Sequence, residues 1–248
     1  MGMESGRKKV VVSVGGAFFE DAASIKKIAA VLDELSARCH LFVVVGGGKR
    51  ARECINIARE LGANDSVCDY IGIEATRINA MLLISALKNA YPMPFRDYHE
   101  VAQQYAHIIG VEASSTEHAI SVMGGVSPGQ TTDAVAAILA EYLNADMLIN
   151  VTTVDGVYDD DPRFNKNARR FDRLTPAELL DIVMRREMKA GASIVIDPVA
   201  AKIIERSRIK TVVIDGGDPK NILKAFNGER TGTIIETADC TRTAQESI

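Results

Sequence analysis

The stretch VVVGGGKRAR, residues 43–52, places three consecutive glycines directly after a run of valines and follows them with three cations. Valine-rich runs of this kind are typical of strands that are buried on both faces of a parallel sheet. Residues 51–62, ARECINIARELG, have the apolar spacing of a helix that ends at Gly62. The stretch therefore predicts a strand, a tight glycine turn and a helix.

The same order of elements recurs along the chain. VVVSV (10–14) precedes a Gly-Gly turn and a helical pattern, and AISVM (119–123) precedes GGVSPGQ and the helical TTDAVAAILAEYL. MLINV (147–151) is a fourth apolar run and ends in TTVDGVY. Strands that alternate with helices indicate parallel pairing with right-handed crossovers. We therefore expect an α/β fold, a three-layer α/β/α sandwich with a mainly parallel sheet.

The second half continues this alternation. TPAELLDIV opens with a capping box of Thr175 and Glu178, IDPVAAKIIERS has helical spacing, and KTVVID and TGTIIE are typical of strands. No linker rich in glycine or proline divides the chain, so we expect a single domain over residues 1–237. The polar run 159–171 is expected on the surface, and residues 238–248 are expected to form a polar C-terminal tail.

Composition excludes several classes of function. Hydrophobic residues make up 47% and the net charge is -4, which argues against bulk binding to nucleic acid or to an acidic membrane. No apolar run reaches the roughly 18 residues of a membrane helix, and no export signal precedes the first strand. The four cysteines form no CxxC pair, which argues against structural zinc and is typical of a reduced compartment. We expect a cytoplasmic protein.

The glycines of VVVGGGKRAR fit neither common phosphate motif. A P-loop requires glycine and a hydroxyl residue at the positions that hold Val43 and Arg50. Gly46, Gly48 and Ala51 satisfy G-x-G-x-x-A, but no second strand follows the helix to supply the acid that a dinucleotide ribose requires. The motif by itself is therefore weak support for a dinucleotide site.

What remains is a general anion site. Glycines let the backbone approach a ligand, and unpaired N–H groups at the start of a helix favour negative charge. Lys49 and Arg52 are three residues apart and can share a helix face, whereas Arg50 is expected to point elsewhere. The alternative is a plain turn with solvated cations.

Repetition of the glycine turn weakens that alternative. Gly15 and Gly16 follow the first strand, and GGVSPGQTT follows the third. In an open parallel sheet these loops meet at the carboxyl ends of the strands, where ligands bind. One of Thr131 and Thr132 is expected to cap the next helix, which would leave the other hydroxyl and Gln130 for a ligand.

TTVDGVYDDDP, residues 152–162, adds a turn with an aromatic ring and several acids. Asp155-Gly156 is a strong turn signal, Tyr158 can stack on a base, and the carboxylates can accept from ribose hydroxyls. The alternative is a solvated acidic loop. No histidine lies in a glycine turn, so we assign no histidine a catalytic role.

Six stretches, taken in order, resemble the uridylate (UMP) kinases of the amino acid kinase superfamily in their archaeal form. They are VVSVGGAFFED, VVVGGGKRARE, DYIGIEATRINAMLL, MGGVSPGQTTDAVAAILAEYL, TTVDGVYDDDP and IDPVAAKIIERS. Because they span most of the chain, the resemblance is more specific than any one glycine turn. It implies an amino acid kinase fold, usually assembled as a homohexamer, that transfers the γ-phosphoryl group of ATP to UMP with Mg²⁺.

The resemblance also implies two sets of site residues. ATP would be contacted by Gly16, Ala17, Gly48, Arg52, Thr152, Tyr158 and Asp161. UMP would be contacted by Gly47, Asp69, Val126, Ser127, Pro128, Gly129, Gln130, Thr131 and Thr132. Arg52 and Lys49 are the candidate catalytic residues, because phosphoryl transfer requires the charge on the moving group to be neutralised. The metal ligands are not identified.

Two departures from the family keep an alternative open. Many relatives carry a lysine where this chain has Ser13, and some carry a second where Ala17 stands. Without these cations the chain could be a non-catalytic nucleotide-binding storage or sensor protein of the same fold. A kinase with another acceptor is a further possibility, but the SPGQTT loop and Asp69 favour a nucleoside monophosphate.

Overall fold

A computed structural model describes residues 7–111, 120–162, 164–187 and 195–237. The expected polar tail, residues 238–248, lies outside the described residues. No helix in the described part of the chain combines the length and the hydropathy that a bilayer crossing requires.

A seven-stranded sheet forms the middle layer, in the order β3-β2-β1-β4-β6-β7-β5. All neighbouring strands pair in parallel except β6 and β7, which are antiparallel. The prediction of a mainly parallel sheet is confirmed. The strands are β1 (Lys9–Val14), β2 (His40–Val45), β3 (Ser121–Met123), β4 (Met147–Thr152), β5 (Arg173–Leu174), β6 (Thr211–Asp215) and β7 (Thr233–Ile235).

Helices cover both faces of this sheet. They are α1 (Ala22–Ser36), α2 (Gly48–Glu60), α3 (Asp65–Ile84), α4 (Tyr98–Val111), α5 (Thr132–Tyr142), α6 (Pro176–Glu187), α7 (Pro198–Ser207) and α8 (Asn221–Asn227). Alternate side chains of β1 point to opposite faces: Val10 and Val12 pack with α1, α3 and α8, and Val11 packs with α5, α6 and α7. The three-layer sandwich is therefore confirmed.

Several local predictions are also confirmed. Glu178 and Thr175 exchange the two hydrogen bonds of a capping box, at 2.7 and 3.2 Å. Thr131 caps α5 by accepting from the amide of Ala134 at 3.1 Å. Gly62 ends α2 with a φ of 86°.

Other elements differ from expectation. The apolar spacing of residues 73–87 predicts a helix from Ile73. Helix α3 begins earlier, at Asp65, because the side chain of Asn64 caps it and accepts from the amide of Val67 at 3.0 Å. Residues Gly16–Phe19 form a 3-10 helix rather than a turn. The polar run 159–171 is mostly on the surface as expected, but Asp161 within it is buried.

The segment 89–95 covers the outer edge of β3. It forms parallel bridges from Ala90 to Ile120 and from Phe95 to Met123. The amide of Phe95 donates to the carbonyl of Val122 at 2.9 Å. The backbone groups of this edge strand are therefore partly paired rather than open to solvent.

The first two glycine turns touch through their main chains. A methyl group on Gly16 would overlap the amide of Gly48, and one on Gly48 would overlap the carbonyl of Gly16. Gly48 also has a φ of 62°, which disfavours a side chain. Only glycine at both positions allows this approach.

We predict that Gly48→Ala lowers the free energy of unfolding much more than Gly62→Ala. Both glycines have positive φ and stand at the two ends of α2, but a methyl on Gly62 meets nothing within 4 Å. Gly62→Ala should cost about 1 kcal/mol of backbone strain. Gly48→Ala should cost roughly 3 kcal/mol or more, because the clash adds to the strain. Urea unfolding of both variants measures the difference, and equal losses would contradict the main-chain contact.

A polar cluster lies where α5 begins above the sheet. The hydroxyl of Ser13 on β1 donates to Asp133 at 3.1 Å. Burial raises the pKa of Asp133 to about 6, the charge of Asp197 adds to the shift, and hydrogen bonds from Ser13 and Asn150 oppose it. The folded protein therefore holds the Asp133 proton more tightly than the unfolded chain does.

We predict that Asp133→Asn stabilises the protein more at pH 8 than at pH 5. Stability linked to Asp133 is lost as pH rises from the ordinary carboxyl pKa through about 6, because the folded state must then release its proton. The asparagine does not titrate. The difference in Tm between variant and wild type should grow by several degrees between the two pH values. An unchanged difference would contradict the raised pKa.

Candidate functional site

The glycine turns gather at the carboxyl edge of the sheet, as the sequence predicts. The amide of Gly15 donates to the carbonyl of Val151, and the amide of Gly46 donates to that of Val14, both at 2.9 Å. Each turn is thus attached to the end of a neighbouring strand. Beside them lies a cavity of about 230 Å³, lined by Gly16, Phe19, Glu20, Gly47, Lys49, Arg50 and Glu53.

Helix α3 joins the second glycine turn to the third. The side-chain amide of Asn79 donates to the carbonyls of Gly46 and Gly47, at 2.8 and 3.1 Å. Three residues earlier, the hydroxyl of Thr76 accepts from the amide of Gly125 at 2.6 Å. The two turns are therefore held at a fixed separation by one helix.

Asp69 makes a third link from the same helix. One of its carboxylate oxygens accepts from the amide of Gly129 at 2.8 Å. The resemblance implies that Asp69 and the third loop belong to one subsite, and in the structure the two are in contact. The contacts of Thr76 and Asn79 have no signal in the sequence, because no local pattern shows which distant backbone groups a helix residue reaches.

The cations of α2 are arranged differently from the prediction. The expectation that Arg50 points away from Lys49 is wrong, since both line the cavity. A guanidinium nitrogen of Arg50 donates to the side-chain oxygen of Asn79. This hydrogen bond holds the Arg50 side chain against the second glycine turn. Lys49 is exposed and lies 3.8 Å from Glu53. Arg52 is exposed and does not line this cavity.

The third loop carries residues 126–132 to the start of α5. Besides capping this helix, Thr131 donates its hydroxyl to Asp197. The side-chain oxygen of Gln130 accepts from the hydroxyl of Tyr98 at 3.2 Å. Gln130 was expected to be free for a ligand, but this oxygen already has a partner. Burial raises the pKa of Tyr98 to about 12. Among the described residues, the Thr132 hydroxyl makes no hydrogen bond.

A fourth glycine turn lies beside the candidate donor residues. Thr152 ends β4, and its carbonyl accepts from the amide of Gly216 at 2.8 Å. Gly216 has no room for a side chain, because a methyl there would overlap the ring of Phe18. This turn was not among the predicted ones, although Gly216-Gly217 follows VVID as Gly15-Gly16 follows VVVSV.

The loop after β4 is held by hydrogen bonds and charge. The hydroxyl of Tyr158 donates to one oxygen of Asp155 at 2.7 Å, and Arg170 donates to the other at 2.9 Å. Burial alone would raise the pKa of Asp155, but these two partners outweigh it and hold the pKa below its ordinary value. The hydrogen bond to Asp155 raises the pKa of Tyr158. Tyr158 is thus a neutral donor with a fixed acceptor.

Metal ligands are sparse. Within the described ranges, no three His, Cys, Asp or Glu side chains lie close enough to hold a metal ion.

Comparison with known proteins gives a consistent result. The model of the amino acid kinase family matches residues 8–215. A uridylate kinase from Archaeoglobus fulgidus is 49% identical over 231 residues, covering 92% of this chain and 99% of the relative. One from Methanococcoides burtonii is 49% identical over 228 residues, covering 90% of this chain and 93% of the relative.

Solved structures agree in fold. The crystal structure of uridylate kinase from Archaeoglobus fulgidus is similar with a TM-score of 0.82 and 48% identity, covering 92% of this chain and 99% of that one. The UMP kinase structure from Ureaplasma parvum has a TM-score of 0.75 at 23% identity, over 93% and 99% of the two chains, and supports the fold alone. By sequence and by structure, this chain belongs to the amino acid kinase family.

Proposed function

We propose that this chain is a cytoplasmic UMP kinase that transfers the γ-phosphoryl group of ATP to UMP, giving ADP and UDP for pyrimidine nucleotide (CTP) synthesis. The observation that carries the proposal is the linkage of the second and third glycine turns by α3, since it holds two candidate anion sites side by side at one sheet edge. The names of its relatives support the same activity.

In this proposal the two nucleotides occupy different parts of the edge. The donor lies over Gly16, Ala17, Gly48, Arg52, Thr152, Tyr158 and Asp161. The acceptor lies over Gly47, Asp69 and residues 126–132. Gly16 and Gly48 are in contact and Gly47 is adjacent, so the phosphates of both nucleotides would meet at the first two turns.

Phosphoryl transfer requires positioning and charge more than covalent chemistry from the protein. The carboxyl end of strand β1 offers no cation to this edge, because the position there is the buried Ser13, whose hydroxyl is hydrogen-bonded to Asp133. Lys49 and Arg52 are therefore proposed to neutralise the moving group, and Arg50 adds a third cation beside the same turn. Backbone N–H groups at the start of α2, which no side chain caps, would bind phosphate oxygens.

Mg²⁺ is the proposed metal. Mg²⁺ often takes only one or two carboxylates and otherwise stays on the phosphates of ATP, so the proposal does not require a cluster of protein ligands. Bound there, it would neutralise phosphate charge. The residues named above would still have to orient both nucleotides.

The alternative is a nucleotide-binding storage or sensor protein without turnover. The relatives reported above are named as kinases and lend it no support. It remains distinguishable by experiment, because a sensor would bind ATP and release no ADP in response to an acceptor.

We predict that the protein releases ADP from Mg-ATP when UMP is the acceptor. Release should be much slower when CMP or AMP replaces UMP or when no acceptor is present. Arg52→Ala should lower kcat/KM by roughly a hundredfold, as expected for a lost charge on a transferring phosphoryl group. A coupled ADP assay measures both. Arg59→Ala is the matched control, because Arg59 lies on the same helix but in its last turn. ATP binding without acceptor-dependent release would favour the storage or sensor alternative.

We also propose that the protein assembles as a homohexamer. The outer side of α2 and α3 exposes large apolar side chains, which are Ile57, Leu61, Val67, Tyr70, Ile78, Met81 and Leu82. We call this set the α2–α3 face. Concentrated apolar exposure of this kind is typical of protein contacts, and a second copy of the chain would cover it.

We predict that Tyr70→Asp reduces the solution mass measured by light scattering to that of a smaller species. A charge at the centre of an apolar contact is expensive to bury. Tyr142→Asp is the matched control, since Tyr142 is similarly exposed but lies on α5, in the opposite helix layer. The same mass for all three proteins would contradict assembly through the α2–α3 face.

A further inference from the structure

The segment that follows the acidic loop returns to touch the candidate donor residues. Tyr158 and Arg170 pair in an antiparallel bridge, and the amide of Phe171 donates to the carbonyl of Val157 at 2.9 Å. Asp159 and Arg169 are joined by a further main-chain hydrogen bond of 3.0 Å. Residues 169–171 thus form the second side of the loop that carries Tyr158.

We propose that Arg170 is a positioning residue for the nucleotide donor and acts through Asp155 to set the orientation of the Tyr158 side chain. The three side chains Asp155, Tyr158 and Arg170 are called the donor clamp. The proposal rests on the proposed function only in taking ATP as the ligand of Tyr158.

The donor clamp uses both oxygens of one carboxylate. Tyr158 donates to Oδ1 of Asp155, and Arg170 donates to Oδ2 and, at 3.3 Å, to the carbonyl of the same residue. Rotating the Asp155 carboxylate would therefore break both bonds together. Both bonds come from one terminal nitrogen of the guanidinium, whose two N–H groups can donate to the carboxylate and to the carbonyl at once.

Arg170 is itself held from the far side. Its second terminal nitrogen donates to Asp172 at 3.3 Å, and Asp172 also accepts from Arg230. The Arg170 side chain is one-third exposed, so its charge is only partly screened by water. The guanidinium has partners on both sides and little freedom to leave Asp155.

The turn beneath the clamp has little freedom either. Gly156 has a φ of 151°, and a methyl there would lie 2.5 Å from the Thr233 hydroxyl and 2.9 Å from Cδ of Arg170. The same hydroxyl accepts from the amide of Val157 at 2.8 Å. The backbone leading to Tyr158 is therefore fixed, and the hydrogen bond to Asp155 helps to orient the phenol.

A fixed aromatic ring binds a nucleotide base with less loss of conformational freedom than a mobile one. An aromatic contact of this kind changes affinity by roughly two- to tenfold. Loss of Arg170 should therefore weaken donor binding within that range and leave the acceptor subsite, which is built on α3, unaffected.

The test measures Mg-ATP binding by calorimetry and the KM values for ATP and UMP, all on the full chain. Arg170→Met should raise the Kd and the KM for ATP two- to tenfold with an unchanged KM for UMP. Arg170→Lys, which keeps the charge next to Asp155, should recover most of the affinity. Arg173→Met is the matched control, because Arg173 lies nearby but pairs with Glu236.

A double-mutant cycle separates the clamp from a general structural effect. If Arg170 acts through Tyr158, the variant Arg170→Met/Tyr158→Leu should bind ATP no more weakly than Tyr158→Leu alone. Fully additive losses, equal losses for ATP and UMP, or unchanged ATP binding in Arg170→Met with a normal Tm would each overturn the proposal.

The same data keep the two proposals apart. If wild-type protein binds ATP but releases no UMP-dependent ADP, the kinase proposal fails, and calorimetry still decides whether the donor clamp exists. If wild-type protein does not bind Mg-ATP at all, both proposals fail.

Discussion

The close approach of the Gly16 and Gly48 main chains is the constraint on which the carboxyl edge of the sheet depends. Gly16 and Gly48 leave no space for a Cβ between them, and Gly46 would place one 2.6 Å from the amide of Gly16. Since Gly46 also continues the pairing of β1 with β2, strand register and turn position are set together. Helix α2 then starts at the contact, and its unpaired N–H groups face the same edge.

Helix α3 extends this constraint to the third loop. Asp69, Thr76 and Asn79 are spaced by seven and three residues, so they lie on one side of the helix. Each makes a hydrogen bond to a glycine backbone group. The opposite side carries exposed apolar residues such as Tyr70 and Met81. One helix therefore supports the second and third glycine turns with its polar face and exposes its apolar face to contact with other molecules.

Much of this architecture follows from local sequence. The valine runs, the Thr175–Glu178 capping box and Gly62 predict strands and helix ends, because each signal acts within a few residues. Elements with weak local signals were missed, including the two-residue β5 and the seven-residue α8. The roles of Arg50, Asn79 and Arg170 could not be predicted, because each depends on a partner at least 15 positions away. Gly216-Gly217 had a usable signal in its Gly-Gly pair directly after a strand.

Both edges of the described sheet offer little unpaired backbone to a further strand. On one side, segment 89–95 pairs with β3 and its neighbouring residues. On the other, β5 is only two residues long and begins with Arg173, whose guanidinium pairs with Glu236. Short, charged or covered edge strands resist edge-to-edge aggregation. Copies of the chain are thus discouraged from stacking into continuous cross-β ribbons even at high concentration, and contacts between folded copies are directed to the helical layers.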